Sequence, residues 1–283
     1  MIAVKLKRIA AIHDISGIGK CSLTAALPVI SASGIEAAAF PTAVLSTHTG
    51  NIEGFTYRDL TGDMPSYASH WKSLGVEFDG IYSGFLGSTE QVEIVKDFID
   101  MFRREGTVVL VDPAMADGGE MYKTFKPGFA EEMKSLCGKA DIIVPNITEA
   151  AFLTDSECDL HGDKEYIEKL LSALSGTGAK MTVLTGVSFS ENEIGCAVRS
   201  GNRTEYFFTE RFDGVYYGTG DLFASALFGA YMNGINIFRS AQIALEFVCS
   251  AIRRTYEAGT DTRLGVDFEH GLKDYINRLE EKI

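Results

Sequence analysis

One feature restricts the fold of this chain more than any other. Short apolar runs of strand length alternate with longer amphipathic stretches, starting within the first twenty residues. That alternation marks strands joined by crossover helices, and so an α/β fold whose central, mostly parallel sheet carries helices on both faces. The strand-length runs are 8–13, 35–40, 79–84, 107–112, 141–145 and 181–185, and all but the first two end beside Gly, Asp, Asn or Thr. Apolar spacing of three to four predicts helices over 88–105, 163–177, 221–233 and 237–258. Alternation over 193–198 and 204–209 around Ser200-Gly201-Asn202-Arg203 predicts a late β-hairpin. With no linker, low-complexity tract or repeat, residues 1–283 are expected to form a single domain. Ligands of open parallel sheets gather beyond the carboxyl ends of the strands, so polar residues there outrank the rest. The segment 41–63 shows no clear periodicity, and a loop that long is more often functional than idle; it reads as a flap over a substrate.

Charge and cysteine usage remove several function classes. Lys and Arg number 26 against 39 Asp and Glu, a formal charge of −13 that would repel a nucleic-acid backbone. No run reaches the roughly 18–20 apolar residues that cross a bilayer, and the opening MIAVKLKRIAAIHD breaks too soon for a signal peptide. A cytoplasmic protein with no membrane partner is expected. The five cysteines are scattered without a C-x-x-C pair, which disfavours both a disulfide framework and a zinc site.

Two glycine-rich segments carry the chemistry. Gly17-Ile18-Gly19-Lys20-Cys21 falls short of a P-loop, because Asp14 stands where that motif needs glycine and Cys21 where it needs Ser or Thr. As a dinucleotide fingerprint it fails at Ser22, in the place of the third glycine. What remains is either a backbone that approaches a small ligand or merely a tight connection. Tyr217-Gly218-Thr219-Gly220-Asp221 opens a strongly apolar helix. A turn freed of side chains there can aim several N–H groups at one point, where the helix dipole also favours negative charge, and so forms a phosphate cradle. Asp221 then stands either as a proton acceptor beside that phosphate or as an ordinary capping aspartate, and spacing leaves both open.

Gly-Thr-Gly-Asp before an apolar helix resembles the anion-hole motif of the ribokinase-like superfamily, and four further segments resemble its pyridoxal kinase branch. Ser46-Thr47-His48-Thr49-Gly50 is similar to Ser-Asn-His-Thr-Gly, and Ser83-Gly84-Phe85-Leu86-Gly87-Ser88 to Ser-Gly-Tyr-Leu-Gly-Ser. Val111-Asp112-Pro113-Ala114-Met115-Ala116-Asp117 resembles Cys-Asp-Pro-Val-Met-Gly-Asp, and Pro145-Asn146-Ile147-Thr148-Glu149 the Pro-Asn-x-x-Glu signature. The five motifs stand in order between residues 46 and 227.

The resemblance implies a kinase that phosphorylates the 5′-hydroxymethyl group of pyridoxal, pyridoxamine or pyridoxine at the expense of ATP. It makes Asp221 the general base, lines an anion hole with Gly218, Thr219 and Gly220, and sets Asp112, Asp117, Asn146, Glu149 and Thr185 about the nucleotide. Asp112 and Glu149 are the metal candidates for Mg²⁺, with a monovalent cation such as K⁺ a further candidate cofactor. Hard oxygen donors without His or Cys suit Mg²⁺, which keeps waters and phosphate ligands. His48, Thr49 and Phe85 would meet the substrate ring, Phe85 keeping the ring but not the hydroxyl of the usual tyrosine. The family's Gln-Ser-His after the first strand is replaced by His13-Asp14-Ile15-Ser16-Gly17, so Asp14 or Ser16 is expected to substitute for the missing serine. A homodimer is implied by the resemblance alone. The rival activities are hydroxymethylpyrimidine phosphorylation and vitamer binding without turnover.

Overall fold

The computed structural model describes residues 5–281. The chain runs through β1 (Arg8–Ile18), α1 (Leu23–Ala32), β2 (Glu36–Thr47), β3 (Tyr57–Asp59), α2 (Met64–Ser73), β4 (Gly80–Ser83) and α3 (Thr89–Phe102). It continues through β5 (Val108–Val111), the short pair β6 (Ala116–Asp117) and β7 (Glu120–Met121), α4 (Phe129–Cys137), β8 (Ile142–Ile143), α5 (Ile147–Thr154), α6 (Lys164–Leu174) and β9 (Met181–Val187). The hairpin β10 (Glu193–Ser200) and β11 (Arg203–Glu210) precedes α7 (Thr219–Met232), α8 (Ile237–Ala258) and α9 (Leu272–Glu280).

Nine strands form one sheet in the order β11-β10-β9-β8-β5-β4-β1-β2-β3. The six from β2 to β9 through β1, β4, β5 and β8 pair in parallel, while β3, β10 and β11 add antiparallel edges. Side chains alternate across a strand, so β1 sends Ala10 and Ile12 into one apolar layer and Ile9 and Ala11 into the other. The first layer is sealed by α2 to α6 through Met64, Val95, Met133, Ala150 and Leu170, the second by α1, α7, α8 and α9 through Leu23, Leu227, Ala244 and Tyr275. The ribokinase-like α/β expectation and the late hairpin both hold.

Three boundaries differ from the sequence reading. The segment 41–63 is not one loop: β2 runs through Pro41 to Thr47, and β3 lies antiparallel against Ala43–Leu45 as the sheet edge. Proline reads as a strand stop because it lacks an N–H, but at Pro41 the strand has a sheet neighbour on one side only, so the missing donor is tolerated. Second, β1 extends to Ile18, which shrinks the glycine-rich connection to Gly19-Lys20-Cys21-Ser22 and places Asp14 and Ser16 in a strand. The β1–β2 register slips between His13 and Ile15, a local irregularity of the kind that re-aims side chains near functional sites. Third, α2, α4, α5 and α9 form from segments of eight to ten residues, too short to show a periodic signal.

Candidate active site

The amino end of α7 is the centre of the site. Gly218 caps it with φ of +75°, and a Cβ at that position would lie 2.2 Å from the Lys20 carbonyl oxygen, so only glycine lets the two turns meet this closely. The first intrahelical bond runs from the Leu222 N–H to the Gly218 carbonyl (3.0 Å), which leaves the N–H groups of Thr219, Gly220 and Asp221 as the orphan donors of the first turn. They are what an anion would meet. The Thr219 hydroxyl donates to the Tyr216 carbonyl (3.1 Å) and braces the approach. From Leu222 to Ala230 every residue of α7 is buried, so the cradle sits on a helix that cannot tilt without disturbing the second apolar layer.

Asp221 stands in this first turn with its carboxylate largely covered. Burial pushes it up to about 7, the nearby negative charge of Asp14 adds to the rise, and the backbone N–H of Ser22 opposes it. Asp14 is itself turned inward: its Oδ1 accepts the Ser22 hydroxyl (2.6 Å) and its Oδ2 the Ser16 hydroxyl (3.0 Å). Asp14 and Ser16 therefore meet each other, at 4% and 1% exposure, rather than lying open at the surface of the site. Lys20 and Ser22 both hold positive φ, at 53° and 54°, and this strained turn delivers Ser22 to both carboxylates. Ser22 went unnoticed in the sequence except as a failed glycine. His13 was also missed: its imidazole is fully buried, with Nδ1 4.0 Å from Asp221 Oδ1.

A second bank of acids lies at neighbouring strand ends. Asp112 follows β5 and is pushed well up by burial, then by the charges of Glu149 and Asp221. Glu149 is raised to about 8, chiefly by burial. Its Oε2 accepts the Asn146 N–H (2.8 Å) and its Oε1 the Met115 N–H (3.1 Å), while Asn146 Oδ1 accepts the Glu149 N–H (2.9 Å). This capping box fixes the start of α5 and ties down the segment after Asp112. The Asn146 side chain also donates to the Ala116 carbonyl (2.8 Å), and Thr185, two residues before the end of β9, pairs with Asn146 in a parallel backbone bridge. Asp117 is exposed on the β6–β7 turn, accepting the Gly118 N–H (2.8 Å). Asp112, Asn146, Glu149 and Thr185 are thus brought together. Among the described residues no three Asp, Glu, His or Cys side chains group closely enough to hold a metal by themselves. Buried carboxylates that raise one another by repulsion do suit a hard cation that brings its own waters and phosphate oxygens.

The ring-facing candidates occupy the other flank. His48 is buried, its Nδ1 accepts the Gly50 N–H (3.0 Å), and Nε2 is therefore the protonated nitrogen that donates to the Arg263 carbonyl (2.5 Å). Both nitrogens are used by backbone, leaving the ring face, which stacks on Tyr217 at 5.0 Å. The 48–50 segment is thereby attached to the residue preceding the anion cradle. Thr49 is exposed beside it, and Phe85, half-buried after β4, packs against Phe125 at 5.7 Å.

An anion cradle at the open terminus of an otherwise buried helix, a carboxylate beside it and further acids at adjacent strand ends define a phosphotransferase of the ribokinase-like kind. The phosphomethylpyrimidine kinase family matches residues 19–265, and the chain belongs to that family. It is similar, at 36% identity, to a Bacteroides thetaiotaomicron protein crystallised as a putative phosphomethylpyrimidine kinase, with a TM-score of 0.92 over 100% of this chain and 97% of that one. A second crystal form of that protein contains pyridoxal and superposes with a TM-score of 0.91. Pyridoxal kinase from Lactobacillus plantarum is 30% identical, with a TM-score of 0.89 over 96% and 98% of the two chains. A Schizosaccharomyces pombe relative, 26% identical, matches over 56% of this chain and 47% of its own length, so the chain spans about half of that protein. Among the described residues no helix is long and apolar enough to cross a membrane.

Proposed function

We propose that residues 1–283 act as one ATP-dependent kinase domain that phosphorylates the 5′-hydroxymethyl group of pyridoxal, pyridoxamine or pyridoxine in vitamin B6 salvage. The observation that carries this reading is Asp221, whose carboxylate, raised to about 7, stands in the same helical turn as the orphan N–H groups of the cradle. A base poised near the working pH beside a phosphate site is what deprotonation of an alcohol requires. The pyridoxal bound to the 36% identical relative supports the choice of substrate.

In this mechanism the γ-phosphoryl group rests on the N–H groups of Thr219, Gly220 and Asp221. The hydroxymethyl group is held between it and the Asp221 carboxylate, which takes the proton as the oxygen attacks. Asp112, Asn146, Asp117 and Thr185 flank the nucleotide, with Asp112 and Glu149 as the residues that would hold hydrated Mg²⁺, Glu149 through water because its oxygens are engaged by backbone. Magnesium, when bound, neutralises the triphosphate. Phe85 and Thr49 face the vitamer ring, the His48 ring borders it, and Asp14 and Ser16 shape its floor; a monovalent cation such as K⁺ is a further ligand. Homodimerisation in the cytoplasm completes the reading, supported by Ile18, Val44 and Tyr57, which leave apolar surface exposed at the β1–β3 end of the sheet.

The family match itself favours one alternative, phosphorylation of hydroxymethylpyrimidine. The deciding experiment compares kcat/KM for the three B6 vitamers and hydroxymethylpyrimidine with Mg-ATP. At least a tenfold preference for a vitamer is expected. A preference for the pyrimidine would transfer the chain to the alternative, and no phosphorylation of any of the four would end the kinase reading.

A further inference from the structure

His13 is fully buried, and neither of its ring nitrogens has a hydrogen-bond partner. A buried polar group left unpaired is a standing cost that a leucine of similar volume would remove, so its presence calls for a ligand or a partner. The surroundings identify the partner. Its neighbour Asp14 is taken by Ser16 and Ser22, and Tyr82 meets the imidazole edge-on at 4.2 Å, which packs the ring without bonding its nitrogens. At Gly84, just beyond β4, there is no side chain: a Cβ there would fall 2.2 Å from Nδ1, so the ring fills space that only glycine leaves free. Of the charged groups nearby, Asp221 Oδ1 lies 4.0 Å from Nδ1, about 1 Å beyond a hydrogen bond.

We propose that His13 is a positioning residue for the phosphoryl-transfer base, its Nδ1–H closing onto the Asp221 carboxylate and fixing the orientation in which that carboxylate receives the alcohol proton. The inference rests on Asp221 being the base. Apart from His13, the donor that acts on the carboxylate is the Ser22 backbone N–H, and a single N–H cannot satisfy both of its oxygens. Burial lowers His13 to about 3, so the imidazole stays neutral in the working range. A neutral donor can orient Asp221 without adding a positive charge that would compete with the metal for the triphosphate, and a histidine whose Nδ1 carries the hydrogen has the correct tautomer for it. The Tyr82 hydroxyl and the buried Asp112 also bear on Asp221, but neither hydrogen-bonds its carboxylate: Tyr82 points to the Asp221 carbonyl (3.5 Å), and Asp112 acts on it through charge.

Single-turnover kinetics with Mg-ATP and pyridoxal test the role. His13→Leu should lower the rate of phosphoryl transfer at least tenfold with both KM values changed less than twofold, and His13→Asn, whose amide nitrogen occupies the place of Nδ1, should return it to within threefold of wild type. In an Asp221→Asn background His13→Leu should add nothing further. His13→Leu at wild-type rate, His13→Asn as impaired as His13→Leu, or a full additional loss from His13→Leu in the Asp221→Asn background each overturns the inference. Failure of the base reading is seen separately, as wild-type turnover in Asp221→Asn alone. Should His13→Leu not fold, the ¹⁵N-detected tautomer of His13 in the wild-type protein decides: hydrogen on Nδ1 is required, and hydrogen on Nε2 overturns the proposal.

Discussion

At the scale of single residues the site turns on how burial tunes its acids. Asp221, raised to about 7, is partly protonated in neutral solution, and only its ionised form can accept a proton. Activity should therefore fall as the pH drops through about 7, with log kcat/KM losing one unit per pH unit on the acid side; a profile flat down to pH 5 would refute the assignment. Asp221→Asn should lower kcat by roughly 10²–10⁴-fold, the general-base share, while dissociation constants for ATP and vitamer change little. A variant within about threefold of wild type would reduce Asp221 to an acid of the first turn that only complements the helix dipole. The identity of this residue, and of Asn146 and Glu149, is legible in the sequence because each belongs to a motif contiguous in the chain. Its environment is not: the covering that raises it comes from β1 and the Gly19–Ser22 turn.

Among the elements, α7 and the turn beneath it have the least freedom to change. Gly218 needs positive φ and tolerates no Cβ against the Lys20 carbonyl, so Gly218→Ala should push the cradle away from the β1–α1 turn. A loss of about 1–3 kcal/mol in stability is expected from the backbone strain, together with a fall in kcat/KM for ATP, read by denaturant unfolding and steady-state kinetics. An alanine variant with unchanged unfolding would show that the close approach is not needed. The glycine pair was visible as spacing; its partner surface was not. The same limit explains why the sequence places the end of β2 at Phe40, before Pro41, and gives no role to Ser22: the role of each is decided by a neighbouring strand or turn rather than by its own sequence context.

Across the whole molecule the acids set the response to pH. In the folded protein Asp112, Glu149 and Asp221 all hold their protons more tightly than in the unfolded chain, which outweighs the opposite shift of His13 below about pH 6.5, so between about pH 4 and 8 the folded state binds more protons and stability falls as pH rises. Carboxylates shifted the other way, such as Asp59, Asp261 and Asp267, act below this window, where protonation removes their contribution. The melting temperature of the ligand-free protein should therefore drop from pH 5.5 to pH 8, and Asp112→Asn should raise it at pH 8 more than at pH 5.5. A melting temperature that climbs over this interval would contradict the shared burial of the three acids.

The sequence by itself determined the α/β class, the late hairpin, the long helices and the order of the motif residues, because periodicity and capping act over a few neighbouring positions. Only the tertiary structure decided that the His13 ring packs on Gly84 with Nδ1 4.0 Å from Asp221, that His48 spends both nitrogens on backbone while stacking on Tyr217, and that Asp14 binds serines rather than opening to the surface. Those relations follow from sheet order, with β1 set between β2 and β4, and from α7 packing beside α1 at the carboxyl end of β1. Contacts between residues far apart in the chain leave no periodic trace, and the desolvation that raises Asp112, Glu149 and Asp221 exists only once the core has closed.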